Sequence, residues 1–123
     1  MESTFLTRRV TFDAEHRYGD APYHGHTYTC SVSVTGTVDP RTGMLVDLET
    51  LDRILDREIV QRFHQKRIND DVPEFRDGRM APTGENMARF IFDRVSAALR
   101  DGASVSEVTV AEDPTLSATY RRR

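Results

Sequence analysis

The sequence has no tryptophan, a single cysteine and no marked excess of either charge, and each shortage closes off a class of protein. A lone cysteine, Cys30, rules out an internal disulfide and suits a reducing compartment. No apolar run approaches the ~18 residues that a membrane span needs. The first residues also lack the basic-then-apolar order of a secretory signal, so a soluble cytoplasmic domain is expected. Net charge is −3 with acids and bases interspersed, which offers no basic face for nucleic acid and no stripe for a membrane surface. The Arg121-Arg122-Arg123 ending reads as a solvated terminus. At 123 residues the chain suffices for one core, and a single domain over residues 1–123 is expected. An apolar content of 37% against 30% charged is polar for that size, as in a subunit that buries its remaining apolar faces against other copies.

What the chain does have is a concentration of histidine. Three of its four histidines, His16, His24 and His26, fall within fifteen residues that also contain Cys30. Val10, Phe12, Ala14 and His16 share one face of an alternating run, with Arg9, Thr11, Asp13 and Glu15 on the other, the mark of a half-buried strand. After a turn at Tyr18-Gly-Asp-Ala-Pro22, alternation resumes with His24, His26, Tyr28, Cys30, Val32, Val34 and Val38 on one side and threonines and serines on the other. Two such runs predict an antiparallel hairpin that brings His16 beside His24 and His26, since alternate strand residues face the same way. Three neutral imidazoles with a fourth position open suit a catalytic zinc, which would act as a Lewis acid on a bound oxygen. A structural or surface histidine cluster is the alternative.

Downstream, Asp47 is placed to cap a helix carrying Leu48, Leu51, Leu55, Ile59 and Phe63 at spacings of three and four, about four turns in all. Residues 65–81 read as a polar loop. Thr83 is placed to cap a second helix with Glu85 in its first turn, Met87, Phe90, Ile91, Val95, Ala98 and Leu99 on its apolar side, and Asp101-Gly102 as its stop. Two strands, 105–112 and 116–122, close the chain. The order β-β-α-α-β-β predicts an α+β fold, a four-stranded antiparallel sheet with two helices on one face. Its open edges invite pairing with other copies into a barrel.

Several single residues carry alternative readings. Cys30, on the histidine face, is either a nucleophile activated by nearby cations or a small core residue. Glu112 ends the inward stripe Val108, Val110, Glu112. It is either exposed at the strand end or buried against a partner such as a guanidine-like ligand edge that gives two parallel hydrogen bonds. His64, just past the first helix, is either a C-terminal cap or a general acid or base.

Taken together, Phe12-x-Ala-x-His16, His24-Gly-His26-Thr-Tyr28, Gly43-Met-Leu-Val-Asp47, Ile68-Asn69-Asp70, Pro82-Thr83-Gly-Glu85-Asn86 and the late-strand Glu112 resemble the 6-pyruvoyl-tetrahydropterin synthase / 6-carboxytetrahydropterin synthase family over essentially the whole chain. The resemblance implies the tunnelling fold, trimers closing a twelve-stranded barrel, and two trimers stacked into a hexamer with sites between subunits. It implies zinc on His16, His24 and His26, and a pterin anchored by Glu112 with help from Thr83 and Glu85 of another subunit. The implied activity is that of a lyase on 7,8-dihydroneopterin triphosphate or a related pterin.

Two departures stand beside the resemblance. The family carries a catalytic cysteine four residues before its His-Gly-His, where this chain has Asp20, and only seven residues separate His16 from His24. The family's Asp-His pair after the first helix meets Phe63-His64-Gln65 here, which leaves the pair incomplete. Asp20 and His64 are the candidate acid/base replacements. A pterin- or purine-like ligand-binding protein without the synthase reaction is the alternative function.

Overall fold

The computed structural model describes residues 2–100 and 102–122. Strand β1 (Thr4–His16) and strand β2 (His24–Gly36) form the expected hairpin, in a register that sets His16 directly opposite His24. Helix α1 (Leu48–Leu55) starts at Asp47, whose carboxylate accepts from the Thr50 amide at 3.1 Å. It runs through a π-helical turn (Asp56–Val60) into a last short turn, α2 (Gln61–Phe63). Helix α4 (Gly84–Ala98) is capped by the Thr83 hydroxyl, which accepts from the Asn86 amide at 3.1 Å. Strands β4 (Ser104–Asp113) and β5 (Leu116–Arg121) follow. Asp101, part of the stop expected for this helix, and Arg123 of the basic tail lie outside the described residues.

The segment expected to be a polar loop holds more structure than that. Strand β3 (Lys66–Arg67) pairs parallel with Ala14 and Glu15 of β1, so the sheet has five strands in the order β3-β1-β2-β4-β5 rather than four, and is not wholly antiparallel. A one-turn helix, α3 (Ile68–Asp71), and a 3₁₀ turn (Arg76–Gly78) come next. They are held because Ile68, Val72 and Phe75, spaced four and three apart, are all buried. A second correction concerns Val38, placed on the inward side of β2 by its alternation. The strand ends at Gly36 and Val38 is exposed.

One face of the sheet forms the core. Phe12, Tyr28, Cys30, Val32, Val34, Val108 and Val110 pack against Leu51, Leu55, Ile59, Phe63, Met87, Ile91 and Val95 of the helices. The other face is polar, with Thr7–Ser33 and Thr109–Thr119 hydroxyl pairs across neighbouring strands. Strand β4 carries two bulges, where Ser106 and Glu112 are the extra residues opposite continuous partners. The first explains why Val105 and Val108, three apart, are both buried: an inserted residue shifts the alternation by one. Helix α4 meets the β4–β5 ribbon closely at its first residue. A Cβ on Gly84 would stand 3.3 Å from the Ala118 Cβ, so a glycine there lets the capped end of the helix sit against the strands.

Candidate metal-ligating and ligand-binding site

Because His16 ends β1 and His24 begins β2, the hairpin delivers two imidazoles to one end of the sheet, and His26 follows on the same face. The rings stand 4.5 Å (His16–His24), 4.9 Å (His24–His26) and 5.1 Å (His16–His26) apart, centre to centre. His16 is buried and its Nδ1 lies 2.8 Å from the Pro82 carbonyl, which can only accept. That bond puts the proton on Nδ1 and leaves the Nε2 lone pair facing His24 Nε2, 3.0 Å away. Burial, reinforced by the neighbouring imidazoles and opposed by Pro82, holds His16 below the usual imidazole range, so it stays neutral as a ligand must.

Glu112 joins the three histidines from β4. Its Oε2 lies 3.1 Å from His26 Nε2, but off the line of a hydrogen bond, and the buried Nε2 has no hydrogen-bond partner among the described residues. One donor atom from each of His16, His24, His26 and Glu112 falls within 4.8 Å of the others. Neighbouring ligands of a tetrahedral zinc, at ~2.0–2.1 Å from the ion, stand ~3.3 Å apart. The 3.0 and 3.1 Å separations, the fixed tautomer and the orphaned nitrogen therefore fit a divalent ion with nitrogen and carboxylate ligands.

Beside this cluster is a cavity of about 500 Å³ lined by Tyr18, Thr83, Glu85, Glu112 and residues 116–119. The resemblance implied that Thr83 and Glu85 reach this pocket from another subunit. The close seat of the α4 N-terminus on β4 and β5 places both residues beside Glu112 within a single chain. Tyr18 packs its ring edge-on against His16 at 5.0 Å. The hydroxyl of Tyr28, also near the histidines, is buried without a hydrogen-bond partner among the described residues; burial first, then the charge of Glu112, pushes it well above the usual phenol range. A larger open groove of about 560 Å³ follows the β1–β3 edge, walled by Asp13, Glu15, Thr27, Lys66 and Arg67. Several of its charges are already engaged, Asp13 by Thr27 at 2.6 Å and Glu15 by Arg67 at 3.2 Å.

The two candidate acid/base residues are placed apart from the cluster. Asp20 is exposed at the tip of the turn between the strands. His64 receives the Asp13 amide on its Nδ1 at 3.1 Å and is not among the donors that converge with His16. Cys30 is fully buried in the core and burial pushes its thiol up to about 12, so of its two readings the core residue is the one the packing supports.

The short connection itself is pinned. The Arg17 amide donates to Asn69 Oδ1 and Asn69 Nδ2 donates to the Arg17 carbonyl, each at 3.0 Å. The guanidinium groups of Arg17 and Arg67 lie over the Tyr23 ring, 4.6 and 4.0 Å from its centre, and the Tyr23 hydroxyl donates to Asp70 at 3.0 Å. Sequence reasoning missed Tyr18, Tyr28 and the Pro82 carbonyl as parts of the site. Only Tyr28 left a local trace, through its parity with His24 and His26.

A mixed sheet with helices on one face makes this an α+β protein, and it carries a carboxylate-and-histidine donor set able to hold a metal at the mouth of an open cavity. Residues 5–123 match the family described as 6-pyruvoyl tetrahydropterin synthase. The 6-pyruvoyl tetrahydrobiopterin synthase of Drosophila melanogaster is 33% identical over 95% of this chain and 79% of its own length. The 6-carboxy-5,6,7,8-tetrahydropterin synthase of Bacillus subtilis is 31% identical over 80% of this chain and 67% of its own. The solved 6-pyruvoyl tetrahydropterin synthase of Caenorhabditis elegans superposes with a TM-score of 0.89 at 25% identity, covering 100% of this chain and 98% of that one. The chain belongs to the 6-pyruvoyl tetrahydropterin synthase family, and its fold is the tunnelling fold.

Proposed function

We propose that the chain is a zinc-dependent lyase acting on the side chain of 7,8-dihydroneopterin triphosphate or a closely related pterin. The observation that carries this reading is the meeting of His16, His24 and His26 with Glu112 at the edge of the 500 Å³ cavity. Glu112 anchors the 2-amino-4-oxo edge of the ligand through two parallel, charge-assisted hydrogen bonds, with Thr83 and Glu85 on the same wall. The histidines hold the ion where the ligand's hydroxylated side chain emerges. Zinc, when bound, supplies Lewis acidity toward a side-chain hydroxyl. His16 is kept in one tautomer by Pro82, which also orients the ring.

The reaction proceeds without a thiol. Cys30 is sealed in the core, and the pinned Arg17–Tyr23 connection has no cysteine. That absence favours a second reading, a family member that binds a pterin-like ligand without the synthase reaction. Incubating the zinc-loaded protein with dihydroneopterin triphosphate separates the two. Release of triphosphate or of a side-chain aldehyde supports the lyase; ligand binding with neither product hands the assignment to the second reading.

Assembly follows from the edges. The outer edge of β1 is paired only at Ala14 and Glu15, and β5 is the other end of the sheet. Phe5 and Leu116, on those edges, are more than half exposed. A trimer closing these edges into a barrel, two such rings stacked as a hexamer, and a cytoplasmic location belong to the same proposal. Sedimentation of the purified protein tests the first two.

A further inference from the structure

Glu112 stands where two demands meet. Its carboxylate completes the four-donor set with His16, His24 and His26, and the same side chain lines the cavity that the functional reading fills with a pterin. The lone pairs that a paired-donor ligand edge takes from a carboxylate are those a metal takes most readily, so the two uses compete for one side chain. We infer that Glu112 alternates between them: it is the fourth ligand of the resting metal centre, and it moves to the ligand's N–H edge when a pterin enters, which opens a coordination position as the ligand arrives. This inference rests on the pterin-binding reading above.

Three features of the chain support the exchange. Glu112 approaches His26 Nε2 to 3.1 Å without the alignment of a hydrogen bond, as two ligands of one ion do and a donor–acceptor pair does not. Among the described residues no arginine or lysine pairs with it, although its side chain is only 17% exposed. Glu58, similarly buried, has three arginines. A carboxylate drawn this far out of water needs a cationic or paired-donor partner, and a metal ion and a pterin edge each supply one. Finally, Glu112 is the extra residue of a bulge, flanked by Ala111 paired to Ser117 and Asp113 paired to Leu116. Having no cross-strand partner, it re-aims its side chain without breaking the ladder, a use to which bulges near sites are often put.

The exchange makes metal and ligand antagonists whenever the ligand has no side-chain hydroxyl to offer the ion, and linkage makes that antagonism reciprocal. Unsubstituted pterin is therefore the probe, with cobalt(II) in place of zinc to give a visible ligand-field spectrum. Adding pterin to the cobalt-loaded protein is expected to change that spectrum, and pterin is expected to bind metal-free protein severalfold more tightly than zinc-loaded protein. Glu112→Ala and the shape-preserving Glu112→Gln are both expected to weaken metal affinity at least tenfold by chelator competition, and to abolish the spectral response.

The inference is overturned if pterin binds in a Glu112-dependent way while the spectrum stays unchanged and both variants hold metal within twofold of the parent; the pterin-anchor reading then survives alone. If pterin does not bind the parent protein at all but both variants still lose metal tenfold, Glu112 is a permanent ligand. In that case the exchange and the pterin reading fall together.

Discussion

Glu58 offers a test of how the helical layer that backs the site is held. It lies in the π-helical turn, 6% exposed, and accepts from Arg57 Nε at 3.0 Å, Arg62 Nε at 3.1 Å and Arg94 Nε at 3.1 Å. Arg94 belongs to α4, so the carboxylate ties the first helical stretch to the second. Burial alone would raise its pKa, but the hydrogen bonds from Arg57, Arg94 and Arg62 outweigh it and hold the carboxyl below its ordinary value. Removing one member of a fully buried ion pair costs ~3–5 kcal/mol, because the partner charge is stranded. Here the arginines are partly exposed, at 58%, 26% and 41%, and recover water when the carboxylate is lost. Glu58→Gln, which keeps the shape and one acceptor oxygen, should therefore cost about 2 kcal/mol, the scale of one or two charge-assisted hydrogen bonds. With an unfolding entropy of ~2.1 cal/mol/K per residue, that is a fall of about 8 °C in melting temperature.

The pH dependence has a definite sign. A depressed native pKa stabilises the fold above the unfolded carboxyl's value of ~4.3, and the contribution disappears as pH falls through the lower native value. Differential scanning calorimetry of parent and variant, at one protein concentration, should show the full gap at pH 7 and a shrinking gap below about pH 4. Equal melting temperatures at pH 7, or a gap undiminished at pH 3, would refute the reasoning.

Three further outcomes are expected. Cys30→Ala should leave activity and ligand affinity unchanged and cost about 1 kcal/mol for the lost sulfur contacts, while the parent thiol should react with a disulfide reagent only on unfolding; loss of activity on this substitution would restore the nucleophile reading. Asn69→Ala removes both hydrogen bonds to the Arg17 backbone, at about 1–3 kcal/mol for the pair. It should speed amide exchange across residues 17–23, weaken zinc binding severalfold and lower the melting temperature by about 4–12 °C; unchanged exchange there would refute the pinning. Gly84→Val forces branched carbons into a space where even a Cβ is 3.3 Å from Ala118, at a cost of about 1–3 kcal/mol, and should lift Thr83 and Glu85 off the cavity wall. Pterin affinity should fall while metal affinity holds, and equal loss of both would mean that the whole pocket, not this wall, had moved.

The parts of the site that were legible in advance are those governed by period and register. His16, His24, His26 and Tyr28 share a face because strand side chains alternate, and a hairpin with a short connection pairs the last residue of one strand with the first of the next. Capping by Asp47 and Thr83 was equally local, needing only a short polar side chain before an apolar helical stripe. Strand β3 left no trace, because two residues carry no periodicity and its partner is fifty residues away in β1. For α3 the trace was there in Ile68, Val72 and Phe75, diluted by the polar residues around it.

The hardest contact to read was that of Glu112 with the histidines. Glu112 sits at the end of an apolar stripe, and that much is local. Its contact with His26 exists because β2 pairs with β4, Thr29 opposite Ala111, and a bulge then hands its side chain to the histidines. Neither event has a signature in a short window. Asp20 stands where the family resemblance puts a cysteine and His64 where it puts an Asp-His pair; within one chain Asp20 is exposed at the turn tip and His64 Nδ1 accepts from the Asp13 amide. Glu112, by contrast, is brought to the histidines by the long-range pairing of the sheet. Partners of a histidine cluster are thus to be sought on the strands paired beside it, bulges included, because ladder pairing fixes where such a strand runs even where one residue of it is unpaired.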